Sequence, residues 1–307
     1  MGLAPNLFEP AATEISAEQI NRPSTTLMQD AWRRFRQNRM AMAGLITLGV
    51  LILFAVVGPW FSQFDYHTND LYNTYLSPSW VHPLGTDELG RDIMSRLMFG
   101  GRISLLIGFV SVIINLLVGL AYGGISGYFG GRLDNLLMRI IDIIYSIPDL
   151  LYVILLMVVL GTGPLGGLLN IIIVLGIVNW MPLARIVRGQ VLSLREQEYV
   201  LAARTLGANT RRLLMKHLIP NTLGPIVITM ALQIPSAIFT EAFLSFIGIG
   251  IQPPFASWGS LAAQGRLNIP SYPNTLIFPA LAIAITMLAF NFVGDGLRDA
   301  FDPKMRK

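Results

Sequence analysis

Three carboxylates, those of Asp142, Asp149 and Glu241, lie inside long apolar stretches of this sequence. A charge at the centre of a bilayer costs at least ~2.5–3.5 kcal/mol, so such groups rarely face lipid. They can line a watery cavity and meet charged groups of a passing solute, or they can sustain hydrogen bonds between helices. Asp142 and Glu241 lie near the ends of their stretches, which favours structural roles. Asp149, nearer the middle and beside Pro148, is the better candidate for a pathway.

Side chains for other chemistry are sparse. The histidines are far apart, and no H-E-x-x-H or other metal-ligand spacing occurs. The lysines, Lys216, Lys304 and Lys307, belong to no G-x₄-G-K-[ST] phosphate-binding loop, and no G-x-S-x-G nucleophile elbow is present. The sequence therefore argues against an intrinsic ATPase or hydrolase, and it predicts no bound cofactor or metal in this chain.

Composition places these residues in a membrane protein. Only 13% of the 307 residues are charged, 53% are hydrophobic, and the mean hydropathy is +0.58. Soluble domains carry about 25% charged residues, so this chain cannot cover a soluble surface. It has no cysteine, which excludes disulfides and thiolate metal sites. The net charge of +4 fits basic loops beside membrane spans, and no basic face of the kind that binds nucleic acid is evident.

Charge-poor stretches of about 20 residues, the length that crosses ~30 Å of hydrocarbon, predict an all-α polytopic chain with six transmembrane helices. The predicted spans are residues 41–61, 103–127, 136–160, 168–184, 221–247 and 275–294. The turn GTGPLGG separates the third span from the fourth. An even number of spans puts both termini on one side of the membrane.

Lysine and arginine decide which side that is. Almost all of them fall in segments that share one face, namely the N-terminal tail, 128–135, 185–220 and 298–307 with their flanks. The opposite face, 62–102 and 248–274, holds only Arg91, Arg96, Arg102 and Arg266. The positive-inside rule therefore predicts cytoplasmic N and C termini and a cytoplasmic loop after the fourth span.

Small residues recur every four positions through the second span and just beyond it. They are Gly119, Gly123, Gly127 and Gly131. Such stripes let helices pack backbone to backbone in lipid. Packing within this subunit is the favoured use, and a seam against a second membrane subunit is the alternative.

The cytoplasmic loop after the fourth span carries the most specific pattern. Residues 196–206 favour a helix, and Gly207 fits a left-handed stop. Asn209 or Thr210 can cap a second short helix. Pro220 is expected to end that helix before the fifth span begins. The loop is thus predicted to form a compact two-helix knob.

The composition of this knob, EYVLAARTLGANTRRLLMKHLIP, is typical of a docking element. Its alanines and glycine let another backbone approach closely, and basic side chains surround them. An ordinary basic loop would need no such pattern. The docking residues predicted here are Glu198, Ala202, Ala203, Arg204, Gly207, Arg211, Arg212, Lys216, His217 and Pro220.

The N-terminal segment has no secretory signal peptide in its first 40 residues. Residues 24–39 form an amphipathic helical pattern, with apolar side chains including Trp32 at helical spacing and arginines between them. Such a helix either lies at the membrane surface, with Trp32 at headgroup depth, or packs on its own protein.

Two further segments are predicted on the external side. In 82–105, Thr86 or Asp87 is the expected helix cap, and the segment is expected to lie along the outer membrane face. After the fifth span, 251–265 is either a re-entrant loop or a plain connector, with Trp258 expected at interface depth.

Several of these stretches resemble one family. The loop EYVLAARTLGANTRRLLMKHLIP resembles the cytoplasmic "EAA" loop of bacterial ABC importer permeases, with Leu201 where the family motif has Glu and with His217 before the closing proline. Four other stretches resemble the smaller, "C-type" permease subunit of oligopeptide and dipeptide importers. They are FRQNRMAMAGL (35–45), HPLGTDELGRDIMSRLMFGGRISL (82–105), EAFLSFIGIGIQPPFASWGSLAAQG (241–265) and GDGLRDAFDPKMRK (294–307).

The resemblance covers 35–307 and implies the type I ABC importer permease fold in a non-catalytic subunit. It implies a cytoplasmic tail with an interfacial helix (1–40), a first transmembrane helix (41–61), an external loop (62–101), a core (102–297) containing the coupling loop 195–220, and a C-terminal tail (298–307). It also implies partners: a homologous second permease subunit, two ATPase subunits that bind ATP and Mg, and an external peptide-binding protein, all at a bacterial cytoplasmic membrane.

Oligopeptide is the cargo that the resemblance implies, and dipeptides, glutathione-like molecules and metal complexes are alternatives. A proton-coupled secondary transporter, using Asp142, Asp149 or Glu241, is another possibility. It should show inverted repeats of its spans, and no clear repeat is visible. A membrane enzyme would need paired catalytic groups, which are not evident.

Overall fold

A computed structural model describes residues 26–161 and 167–302 of the chain. In these ranges the protein is helical, and its one extended pairing is an isolated bridge between Thr86 and Asp92. The helices are α1 (Leu27–Gln37), α2 (Arg39–Phe61), α3 (Ile93–Phe129), α4 (Gly131–Tyr145), α5 (Asp149–Leu160), α6 (Leu168–Val178), α7 (Met181–Leu194), α8 (Glu198–Thr205), α9 (Thr210–Arg212), α10 (Leu223–Phe246), α11 (Trp258–Gly265) and α12 (Asn274–Phe301).

Long apolar helices dominate the described residues. Five are long and apolar enough to cross a membrane, and a sixth crossing is formed if the bent pair α4 and α5 is counted as one span. The five are Arg39–Phe61, Ile93–Phe129, Leu168–Leu194, Thr210–Phe246 and Asn274–Phe301. The predicted all-α polytopic architecture is therefore confirmed.

The third span is broken in the middle. Helices α4 and α5 meet at an angle of 78° across Ser146–Pro148. Pro148 lacks a backbone N–H, and its ring disfavours helical geometry at the residue before it. Helix α5 then starts afresh, with Leu151 N donating to Pro148 O at 3.0 Å. The prediction of one continuous helix over 136–160 is wrong for this reason.

The second span starts earlier than predicted. Helix α3 begins at Ile93, where the side chain of Asp92 caps it by accepting from Ser95 N at 2.8 Å. Thr86 and Asp87, the expected caps, instead bind backbone N–H groups of the loop around them. Residues 93–105 of the segment 82–105 are therefore the first turns of the long helix α3, and the position of this segment along the outer membrane face stays a prediction.

Glycines allow α3 and α7 to pack closely. A Cβ added at Gly123 would lie 2.3 Å from Ala184 O, and one added at Gly127 would lie 2.8 Å from Arg188 O. Gly119 faces Leu183 in the same way. The structure thus places these three glycines against a helix of the same subunit.

Gly131 does not belong to that stripe. Helix α3 ends at Phe129, and Gly130 and Gly131 follow with φ values of +63° and +56°. A Cβ at Gly131 would meet nothing within 4 Å. Gly131 therefore does not extend the packing of α3 on α7 within this subunit, and its use in a seam against a second membrane subunit stays a prediction.

Helix α1 packs on its own protein. Ala31 and Phe35 are buried beside Ala41 of α2 and Ala300 of α12. Trp32 stacks on Phe35 with ring centroids 5.7 Å apart and remains half-exposed. Of the two readings of this amphipathic pattern, the structure shows the packed one, with part of the apolar surface left uncovered.

A proline in α2 is compensated by an arginine of α3. Pro59 has no N–H to donate to Ala55 O, the partner it would have in a regular helix. Arg102 supplies the donor, since its Nε lies 2.8 Å from Ala55 O and its Nη2 lies 2.6 Å from Val56 O. The end of the first span is thereby fixed to the second.

The segment after α10 folds back into the protein. Trp258, the first residue of α11, is completely buried, and its Nε1 donates to Leu97 O at 2.9 Å. Its backbone N donates to Ser104 Oγ at 3.1 Å. Helix α11 packs among α3, α10 and α12. The depth of Trp258 in the membrane and the choice between a re-entrant loop and a connector stay predictions.

The loop 62–92 is fixed to the segment that joins α11 to α12. Tyr75 stacks on Tyr272 with ring centroids 4.0 Å apart, and Asn274 Nδ2 donates to Leu84 O at 3.0 Å. Desolvation, followed by the charge of Glu88, raises the pKa of Tyr75. The phenol therefore stays neutral at physiological pH and adds no charge to this contact.

An ionic network makes the same connection. Asp87 accepts from Arg91 Nε at 2.8 Å and from Arg96 Nη1. Arg96 Nη1 also donates to Gln264 Oε1 of α11 at 2.9 Å. The loop, α3 and α11 are thus held together by hydrogen bonds and ion pairs.

Candidate functional site

The knob, residues 195–220, joins α7 to α10. Helix α8 ends before Gly207, which has φ +85° and whose N–H donates to Arg204 O at 3.0 Å. Asn209 then caps α9, its side-chain oxygen accepting from Arg212 N at 2.9 Å. A left-handed residue between two short helices turns the chain sharply, as glycine permits without steric cost.

The knob continues into the fifth span without a stop. After α9 come a π-helical turn, Leu213–Leu218, and a 3₁₀ turn, Ile219–Thr222, before α10. Ile219 N donates to Leu214 O, five residues earlier. Such a wide turn accommodates the ring of Pro220, which in an α-helix would clash with the carbonyl four residues before it. The prediction that Pro220 ends this helix is wrong.

One side of the knob is buried in the protein. Val200, Leu213 and Leu218 are at most 1% exposed. They pack with buried residues of α7 and α10, namely Leu183, Val187, Val191 and Ile226. Ala203, one of the predicted docking residues, is half-buried against this cluster. The knob therefore has a hydrophobic core continuous with the membrane helices.

Polar contacts tie the knob to the end of α3. Arg195 Nη1 donates to Gly127 O and Tyr128 O, both at 3.2 Å, and so caps the last turn of the helix. The guanidinium of Arg204 lies 5.9 Å from the centre of the Tyr128 ring. Thr210 Oγ1 lies 3.4 Å from the hydroxyl of Tyr128. The knob is thus bonded to α3 as well as packed on α7 and α10.

The other side of the knob is open. Leu206 is 88% exposed, and Leu201 and Ala202 are exposed beside it. A Cβ at Gly207 would meet nothing within 4 Å. These residues, Leu201, Ala202, Leu206 and Gly207, are here called the docking surface. The two leucines escaped the sequence analysis, although a leucine in a polar loop is itself a signal of an uncovered contact.

Charged groups flank the docking surface. The exposed ones are Glu198, Arg204, Arg211, Arg212 and Lys216, together with the exposed Pro220. His217 is half-buried, and its carbonyl accepts from Asn221 Nδ2. The knob thus exposes both apolar and basic side chains, and both kinds occur in protein contacts.

Two of the predicted pathway acids are bound within the protein. Glu241 is completely buried and accepts from Ser104 Oγ at 3.1 Å and from Ser245 Oγ at 2.8 Å. Asp142 accepts from Arg185 Nη2 at 2.7 Å. Both carboxylates thus join neighbouring helices.

A fourth acid was missed by the sequence analysis. Asp134 of α4 is buried and accepts from Ser126 Oγ and from both Nε and Nη2 of Arg188, the latter at 2.6 Å. The sequence placed it in a loop, where a single acid carries no signal. The structure shows it holding α4 to α7.

Asp149 lies in a different environment. It is exposed, and its Oδ1 accepts from Leu150 N at 2.8 Å. It borders a cleft of about 320 Å³ between α5, the junction of α6 with α7, and α10. The other lining residues are Leu150, Val153, Asn179, Phe239, Thr240 and Phe243.

Comparisons with known proteins agree with this architecture. Residues 116–307 match the family described as binding-protein-dependent transport system inner membrane component, and residues 26–78 match the N-terminal TM domain of oligopeptide transport permease C. A solved structure of inward-facing conformations of the MetNI methionine ABC transporter shares the fold, with a TM-score of 0.53 and 20% identity over 68% of this chain and 98% of that chain.

Curated relatives extend over nearly the whole chain. The oligopeptide transport system permease protein OppC of Bacillus subtilis (strain 168) is 54% identical over 98% of both chains. The dipeptide transport system permease protein DppC of the same organism is 51% identical, over 95% of this chain and 90% of the relative. OppC of Escherichia coli (strain K12) is 42% identical over 94% and 95%. The chain is therefore a multi-pass membrane permease and belongs to the family of binding-protein-dependent transport system inner membrane components.

Proposed function

We propose that this chain is the non-catalytic membrane subunit of an ATP-driven peptide importer, and that it forms half of the translocation pathway. Relatives named as oligopeptide and dipeptide permeases support peptide as the cargo. The observation that carries the coupling role is the two-sided knob. Its docking surface is open, while its other side is buried in the cluster that includes α7 and α10.

The proposed assembly contains a homologous second permease subunit, two ATPase subunits that bind ATP and Mg, and an external peptide-binding protein. The chain lies in the bacterial cytoplasmic membrane with both termini and the knob in the cytosol. The concentration of lysine and arginine on that face supports this orientation. ATP binding closes the ATPases, and their movement displaces the knob.

The structure explains how such a displacement can reach the pathway. The knob has no independent core, because Val200, Leu213 and Leu218 pack on the membrane helices. Packed cores transmit displacement rather than absorbing it. Movement at the docking surface therefore shifts α3, α7 and α10 together.

Substitution of Leu206 tests this role. We expect Leu206→Asp to abolish co-purification of the ATPases and ATP-dependent peptide uptake, because a charge would enter the centre of the contact. Leu206 is 88% exposed in the isolated subunit, so folding and membrane insertion should be unchanged. The matched control is Leu267→Asp, since Leu267 is 72% exposed but lies after α11, on the proposed external side.

Retention of the ATPases and normal uptake by Leu206→Asp would refute the coupling role. Loss of both properties in Leu267→Asp as well would show that a charged substitution at any exposed leucine is harmful, and would equally remove the support for the docking surface.

A further inference from the structure

Four of the carboxylates within the candidate spans, Asp134, Asp142, Asp149 and Glu241, differ in what binds them. Asp134 and Asp142 pair with arginines of α7, and Glu241 accepts from two serine hydroxyls. Asp149 has no ion pair with any residue in 26–161 or 167–302. A carboxylate without a cation is costly at membrane depth unless it faces a cavity that water or a ligand enters.

The cleft beside Asp149 is such a cavity. The backbone is irregular on two of its sides, at the break before α5 and at Asn179 between α6 and α7. Broken helices at membrane depth are tolerated only where they are buried in protein or line a water-filled space. Its volume of about 320 Å³ is near the lower limit of ~300–1,000 Å³ for small-molecule sites, so it suits the end of a chain molecule.

The chemistry of the lining favours a cation. Asp149 lies in the first turn of α5, where the helix dipole stabilises negative charge. Phe239 and Phe243 border the same cleft, and aromatic faces attract ammonium groups. Thr240 Oγ1 donates its own proton to Ser236 O, so towards a ligand it can only accept. The cleft thus offers hydrogen-bond acceptors and aromatic rings, and no lysine, arginine or histidine among the described residues lines it. This lining suits an ammonium group.

We propose that Asp149 and this cleft bind the N-terminal ammonium group of the peptide during its passage. The proposal rests on the function proposed above and specifies which part of the cargo this subunit recognises. A lysine or arginine of the second permease subunit is the competing occupant. The peptide is the favoured occupant, because relatives named as oligopeptide and dipeptide permeases support a cargo that carries such a group.

The absence of cysteine from the chain gives a direct assay. Thr240→Cys places a single thiol in the cleft, and its rate of maleimide labelling is measured in the purified four-subunit complex without the external binding protein. The probes are a tetrapeptide with a free amino group and the same peptide N-acetylated. We expect the free-amino peptide to protect the thiol at a concentration about tenfold or more below that of the acetylated peptide, the loss expected for a charged hydrogen bond.

The second arm adds Asp149→Asn to Thr240→Cys. We expect the two peptides then to protect equally, because the difference between them depends on the carboxylate. Equal protection by both peptides when Asp149 is intact would overturn the proposal. Dissociation of the second permease subunit on Asp149→Asn would also overturn it, and would assign the carboxylate to a partner cation.

Failure of this inference is distinguishable from failure of the proposed function. If the complex imports peptide with ATP and loses uptake with Leu206→Asp, but shows no protection that depends on the amino group, only the role of Asp149 is refuted. If the complex takes up no peptide with ATP, the proposed importer function is refuted.

Discussion

Asp134 and Asp142 both accept hydrogen bonds from an arginine of α7, yet the two ion pairs have different surroundings. The side chain of Asp134 is 8% exposed and that of Arg188 is 31% exposed. The corresponding values are 52% for Asp142 and 42% for Arg185. Removing one partner of a buried pair leaves an uncompensated charge, whereas an exposed pair contributes little.

We therefore expect Asp134→Asn to lower the free energy of unfolding by roughly 3 kcal/mol, the lower end of the range for broken buried pairs. Asp142→Asn should change it by about 1 kcal/mol or less. Thermal unfolding of the detergent-solubilised subunit, followed by fluorescence, measures both. Equal midpoints for the two variants would show that Arg188 finds another partner and that the pair does not fix α4.

Individual residues were the level at which sequence reasoning was weakest. It selected Asp142, Asp149 and Glu241 because acids are conspicuous in apolar stretches, but it could not tell which of them had a partner. That depends on α4, α7 and α10 meeting in space, which no local pattern reveals. Asp134 and Leu206 were missed because each is unremarkable until its neighbours are known.

At the scale of elements, the contact between α3 and α7 depends on the absence of side chains at particular glycines. A Cβ at Gly123 would lie 2.3 Å from a backbone oxygen of α7, which cannot move without displacing the helix. Gly124, next along the same helix, has only Leu214 Cδ2 at 4.0 Å from an added Cβ. Both positions lie within α3, but only Gly123 is packed closely against another helix.

Gly123→Ala should therefore destabilise the subunit by about 1–3 kcal/mol through overpacking. Gly124→Ala should be neutral or stabilising by up to about 1 kcal/mol, because alanine favours the helix. The yield of monodisperse protein and its thermal midpoint check both expectations. A harmless Gly123→Ala would mean that α3 and α7 are not held at this distance.

Helices were predicted well where the sequence has a long apolar stretch without charged residues. The first span, expected over 41–61, is α2, and the sixth, expected over 275–294, lies within α12. The errors were at breaks and ends. A proline stops one helix at Pro148, yet at Pro220 a wide turn lets the helix pass. The choice between these outcomes depends on packing around the proline rather than on its presence.

At the scale of the whole molecule, the proposed orientation places the docking surface on the side of the proposed ATPases and the loop 62–92 on the side of the proposed external binding protein. This orientation is a prediction from the distribution of arginine and lysine, which is strongly asymmetric. The same asymmetry makes opposite ends of the subunit distinguishable by labelling, because the native chain has no thiol.

We expect a membrane-impermeant maleimide to label Tyr72→Cys in intact cells, since Tyr72 is fully exposed in the loop 62–92. Leu206→Cys should react only after the membrane is permeabilised. Mass spectrometry of the purified subunit quantifies the label. Labelling of Leu206→Cys but not of Tyr72→Cys in intact cells would show the opposite topology. The docking surface would then lie outside the cell, where no cytosolic ATPase could bind it.

The π-helical turn Leu213–Leu218 determines the rotation of α9 about the helix axis relative to α10. A turn of this kind holds one residue more than an α-helical turn, and one residue corresponds to about 100° of rotation about the helix axis. The azimuth of α9 relative to α10 therefore depends on that single extra residue. Deleting one residue of the turn would rotate the knob by roughly a quarter of a circle from the direction that it has in this structure.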